Sequence, residues 1–85
     1  MHQFKYIRSR YRTFVFSESD THKDMARRVF NDNEKVESAG FGMIITDPQG
    51  NPDVHTYGHS VTLGVGSVED DRFFVKQTLG LNGLH

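Results

Sequence analysis

The chain reads as a small α+β domain: an antiparallel or mixed sheet carrying two helices, in the order β(β)αββα. Three observations predict this. Residues 3–17 are dense in aromatic and β-branched side chains. Met25, Ala26, Val29 and Phe30 recur at helical spacing behind a capping signal. Asp47-Pro48-Gln49-Gly50 then separates two extended blocks as a turn. Strands, a helix, a hairpin and a second helix in that order suit a sheet with helices laid on it.

The first block holds Phe4, Tyr6, Ile7, Tyr11, Thr13, Phe14, Val15 and Phe16. It is either one bent strand or two strands folded near Ser9-Arg10, since no Gly or Pro marks a turn there. Residues 20–33 read as a helix. Thr21 and Asp24, three apart, form a capping-box variant that leaves the N–H groups of His22 and Lys23 pointing out of the positive helix end. His22 falls on the apolar face, Arg27 and Arg28 point elsewhere, and Asn31-Asp32-Asn33 ends the helix. Residues 36–47 form the next extended block, in which Phe41, Met43 and Ile45 alternate and Gly40 and Gly42 flank Phe41. Pro second and Gly fourth fit a type I turn, and residues 54–63 return as the other hairpin strand. Gly64-Val65-Gly66 reads as a loop. Ser67-Val68-Glu69-Asp70 opens a second helix by the same capping logic, with Asp71 also at its N-terminus and Gly80 as its stop. Val68, Val75 and Leu79 share its buried stripe, with Phe74 on the flank.

At 85 residues the chain makes one domain, 1–85, ending in a tail at 80–85, and its core is modest. Hydrophobic residues are only 35%, so seven Phe and three Tyr must supply bulky filling. A net charge of −1 argues against a generic nucleic-acid coat. With no Cys, a thiol nucleophile, a disulfide frame and a Cys-based zinc site are excluded. No apolar run is long enough to span a membrane and the first residues lack a signal-peptide core, so no membrane partner and a cytoplasmic setting are expected.

His22 is the first candidate for chemistry. Either it is a partly buried ring bonded to a neighbouring carbonyl, or it is a base above an anion site at the helix start. The second reading needs further phosphate donors, and Tyr57-Gly58-His59-Ser60-Val61-Thr62 offers them. There Gly58 lets backbone approach a ligand, and the Ser60 and Thr62 hydroxyls share a face if the strand continues. His55 and His59, roughly 13 Å apart along a strand, cannot share one zinc ion without a bulge, so no metal and no cofactor are expected. Arg8, Arg10 and Arg12 alternate as on one strand face. That face either contacts a nucleic-acid backbone or is solvated and balanced by later acids. The overall charge favours the balanced face, and nucleic acid is the less expected partner.

Read in order, these pieces resemble a compact member of the Janus family, the phosphohistidine-phosphatase type. Phe4-Lys5-Tyr6-Ile7 resembles its first-strand Phe-Lys-Tyr-Val. Thr21-His22-Lys23-Asp24 resembles its His-Ala-Asp segment, which holds the catalytic histidine. Ala39-Gly40-Phe41-Gly42-Met43-Ile44 is similar to its Gly-Gly-Gly-Arg-Ile block. Val54-His55-Thr56-Tyr57-Gly58-His59-Ser60 is similar to its Ile-His-Val-Tyr-Gly-Tyr-Ser strand. The likeness runs over most of residues 4–80. Met43 stands where the family has Arg, His59 where it has the second Tyr, and Val36-Glu37-Ser38 where it is Cys-rich. The long loop after its first strand and the strand beyond its second helix have no counterpart here.

The resemblance implies metal-free hydrolysis of a phosphohistidine N–P bond on a phosphorylated protein. In that picture His22 activates water or takes the phosphoryl group itself. Thr21, Lys23, Ser60 and the backbone of Val61 and Thr62 cradle the phosphate, and Lys5 supplies positive charge. The alternative is a non-catalytic binding domain on the same fold, holding a phosphorylated or acidic partner, or nucleic acid through Arg8, Arg10 and Arg12.

Overall fold

A computed structural model of the chain describes residues 3–81. The fold is α+β. Four strands, β1 (Gln3–Ser9), β2 (Thr13–Phe16), β3 (Val36–Thr46) and β4 (Pro52–Tyr57), form an antiparallel sheet in the order β2-β1-β3-β4. Two short strands, β5 (His59–Ser60) and β6 (Val65–Gly66), pair antiparallel beside it. Helices α1 (His22–Val29) and α2 (Asp71–Thr78) complete the fold. No helix among the described residues is long and apolar enough to cross a membrane.

Alternation along β1 divides the core between the two faces of the sheet. Ile7 packs with Phe16, Met25, Phe30 and Ala39 under α1, while Phe4 and Tyr6 pack with Val54 and Val75 under α2. Lys5 therefore shares the α1 face with Ile7. The expected apolar face of α1 is present: Met25 and Phe30 are buried, and Ala26 and Val29 pack against that cluster.

The first block is two strands. Ser9 makes the turn that no Gly or Pro announced: its hydroxyl accepts the N–H groups of Tyr11 and Arg12, and its own N–H bonds the Arg12 carbonyl at 2.9 Å. This turn takes the three arginines off a single strand. Arg8 pairs with Asp71 beneath α2, Arg12 pairs with Glu34, and Arg10 lies over the Tyr11 ring. All three still line one small depression of about 60 Å³ beside Phe74.

Three boundaries also differ from expectation. α1 stops at Val29 rather than at residue 33 because Phe30 is extended and the Arg12 guanidinium takes the Val29 carbonyl. Glu34 then accepts the Asn31 N–H and holds the following turn. β4 ends at Tyr57, since Gly58 adopts φ +80°, and residues 59–60 pair instead with Val65–Gly66, the segment expected as a loop. α2 begins at Asp71, and its N-cap Asp70 makes no side-chain cap bond. The Asp71 carboxylate accepts the Val68 N–H instead. Val68 is consequently exposed, whereas Val75 is buried as expected.

Two turn signals hold. Gly50 donates to the Asp47 carbonyl at 2.9 Å and Asp47 Oδ1 accepts from Gln49 and Asn51, closing the β3–β4 hairpin. Gly80, at φ +74°, ends α2: its N–H bonds the Gln77 carbonyl and the Leu81 N–H bonds that of Lys76, a Schellman arrangement. The expected tail lies, beyond residue 81, outside the described residues.

Candidate functional site

His22 is the first residue of α1. Thr21 caps the helix in extended conformation, its hydroxyl accepting the Asp24 N–H at 3.1 Å. That cap fixes the entry of the chain and turns the His22 ring down onto the sheet, where it is only 4% exposed. Phe16 and Phe41 meet the ring edge-on, at centroid distances of 5.7 and 5.4 Å. His22 Nε2 lies 2.8 Å from the Gly40 carbonyl oxygen. A carbonyl can only accept, so Nε2 carries the proton and Nδ1 of the neutral ring keeps its lone pair. Nδ1 makes no hydrogen bond among the described residues. The ring is thus a buried histidine bonded to a neighbouring carbonyl, the first of the two readings of His22.

His22 also lines a hollow of about 160 Å³, together with Lys5, Thr21, Phe41, His59, Val61 and Thr62. Five of the seven sequence-predicted site residues therefore converge from three separate segments. Lys5 lies along the α1 face of β1, its ammonium donating to the Asp20 carbonyl at 2.8 Å and standing 5.9 Å from the Phe41 ring centre. Val61 and Thr62 belong to a single helical turn after β5. The Gly64 N–H closes onto the Ser60 carbonyl at 2.9 Å, and the Leu63 N–H onto the Ser60 hydroxyl at 3.1 Å. In such a turn the early N–H groups, those of Val61 and Thr62, find no acceptor within it.

The other two predicted residues sit elsewhere. Ser60 is 1% exposed and caps the turn; because the strand stops at Ser60, its hydroxyl meets that of Thr62 at 3.2 Å rather than facing the hollow. Lys23 is exposed on α1 and does not line the hollow. Sequence reasoning missed Phe41 and His59 as lining residues. The glycines beside Phe41 were the available signal. Gly40 is required by close approach, since a Cβ there would lie 2.6 Å from the Tyr57 carbonyl oxygen, and its own carbonyl is the one that anchors His22.

A wider depression of about 630 Å³ lies between the β1–β2 turn and the segment after α1, lined by Tyr11, Arg12, Asn31, Asn33 and Glu34. Its two charges are spent on each other: Arg12 and the Ser9 hydroxyl hold the Glu34 carboxyl down at about 2. It offers neither an available base nor an unpaired cation. Among the described residues no three His, Asp or Glu side chains gather as a metal set.

Burial pushes the His22 imidazole below its ordinary 6.5; the Gly40 carbonyl opposes this and the nearby Lys5 charge adds to it. The folded protein therefore binds a proton at His22 less readily than the unfolded chain. Stability from this group is complete above about pH 6.5 and is lost as pH falls through the depressed folded value. Thermal unfolding of wild type and His22→Gln, followed from pH 7 down to about pH 5, should show wild type losing more Tm. Parallel losses in the two proteins would show that His22 is not the proton-linked group.

Comparison of the chain with family models, with curated proteins and with solved structures finds no match in any of the three.

Proposed function

We propose that the hollow receives a phosphoryl group and that the protein hydrolyses the N–P bond of phosphohistidine on a protein partner, in a cytoplasmic setting. One observation carries this reading: His22, Lys5 and Thr21 line one small space together with Val61 and Thr62, at the start of α1 and in the turn after β5. At about 30 Å³ per water, the hollow holds roughly five waters. That accommodates a phosphoryl group and an attacking water, while the leaving group stays outside.

Each group has a role in that chemistry. His22 Nδ1 accepts a proton from the water that attacks phosphorus, while the Gly40 carbonyl keeps the ring in the reactive tautomer. Lys5 and the N–H groups at the starts of α1 and of the Ser60 turn offset the charge building on the phosphoryl oxygens. Positioning and charge stabilisation supply most of the rate in phosphoryl transfer, so no further nucleophile is required. The resemblance of four sequence segments to the phosphohistidine phosphatases supports the same reading.

The test is phosphate release from a phosphohistidine peptide by the full chain, with and without chelator. Release at equal rates in both is expected. A protein that releases no phosphate but whose His22 ring resonances shift with added inorganic phosphate is a binding module instead. Neither release nor shift would end the reading altogether.

A further inference from the structure

The hollow holds a second histidine, and the two differ in depth. His22 is buried at its floor, whereas His59 is exposed at its rim on β5. Hydrolysis of an N–P bond needs two proton transfers, one from the attacking water and one to the departing ring. With the phosphoryl group over the buried His22, the leaving ring lies on the solvent side, where His59 is. We propose that His59 is the general acid of this site, a catalytic residue that protonates the leaving imidazole as His22 deprotonates the water. This deepens the hydrolase reading above and rests on it.

The step balances. The water oxygen bonds phosphorus as its proton passes to His22 Nδ1. The P–N bond breaks, its electron pair stays on the departing ring, and the His59 proton lands on that ring, which leaves as neutral imidazole. Inorganic phosphate is the other product. His22 then releases its proton to solvent and His59 takes one up.

The surroundings of His59 suit an exchangeable proton. Its pairing strand β6 (Val65–Gly66) carries no titratable group, β3 presents Phe41, and the following turn presents Val61 and Thr62. Among the described residues, Lys5 from β1 and His22 from α1 are the only other titratable groups lining the hollow. Neither is an acid that would hold the His59 proton in a fixed ion pair, and histidine is the side chain suited to exchanging protons near neutral pH. Asymmetry comes from the fold: His22 is buried and its Nε2 is held by the Gly40 carbonyl, whereas His59 is exposed.

The experiment compares two leaving groups in wild type and His59→Gln, a substitution at an exposed position. A phosphohistidine peptide is assayed at about pH 8, above the ordinary imidazole pKa, where its ring needs a proton in order to leave. The second substrate, p-nitrophenyl phosphate, has a leaving group that departs unprotonated. His59→Gln should slow the peptide reaction about 10²–10⁴-fold and the nitrophenyl reaction less than about tenfold. Equal losses on both substrates would make His59 a binding residue, and no loss on either would remove it from the site; both overturn the proposal. Wild type inert toward both substrates would instead overturn the hydrolase reading, and this one with it.

Discussion

His22→Gln should fold and lose phosphate release from a phosphohistidine peptide by about 10²–10⁴-fold, the usual worth of a positioned base. Glutamine is the informative substitution because it separates the two ring nitrogens. Its amide can still donate to the Gly40 carbonyl that Nε2 occupies at 2.8 Å, so that buried acceptor keeps a partner. What it cannot supply is the lone pair of Nδ1. Alanine would confuse matters, since it strips the Gly40 carbonyl and empties the slot between Phe16 and Phe41. In the pH profile of wild type, the acid limb should lie below the ordinary histidine value, because burial and Lys5 favour the neutral ring. A His22→Gln protein with native circular dichroism and wild-type kcat would remove the proposed mechanism.

Local signals in the sequence located most of the elements, and non-local ones decided the details. Thr21 and Asp24 are close neighbours, so the start of α1 and the place of His22 could be read directly. The Asp47-to-Gly50 turn was legible for the same reason. Ser9 was not: its hydroxyl stands in for a turn residue only because the chain around it is already folded back, with Glu34 accepting its O–H from twenty-five residues away. Gly58 was read as a point of close approach, yet its positive φ ends β4 and sends His59 to the rim of the hollow. Continuing β4 through Ser60 would have kept the Ser60 and Thr62 hydroxyls on a shared strand face. Breaking it makes Ser60 a cap and brings the backbone of Val61 and Thr62 to the site instead. Five members of the hollow were thus legible in the sequence, whereas Phe41 and His59 join it, and Ser60 leaves it, through the break in β4 and the pairing of distant strands.

The largest effect on stability should come from Asp71, which the sequence offered only as a helix-start acid. The residue is fully buried, and four donors from β1, β3 and the loop before α2 converge on its carboxylate. Tyr6 of β1 donates its hydroxyl to Oδ2, and the Val68 N–H reaches the same oxygen at 3.0 Å. Arg8 and the Ser38 hydroxyl reach Oδ1 at 2.8 and 2.7 Å. Burial alone would raise the Asp71 carboxyl, but these donors outweigh it and hold the group below its ordinary 3.8. Burial, and then Asp71 itself, push the Tyr6 phenol well above its ordinary value, so it stays a donor. Asp71→Ala would leave Tyr6, Ser38 and the Arg8 charge without their acceptor, a loss of about 3–5 kcal/mol when one partner of a buried pair is removed. Against a total of about 5–15 kcal/mol, that consumes much of the fold's stability. Tyr6→Phe should cost far less, because it removes one donor and leaves the carboxylate three others. The pH dependence has a definite sign: stability from Asp71 is complete above the unfolded carboxylate value and lost as pH falls through the lower folded one. Urea unfolding of the two variants at neutral pH is the measurement. An Asp71→Ala midpoint as close to wild type as that of Tyr6→Phe would show that the convergence on Asp71 does not hold α2 to the sheet.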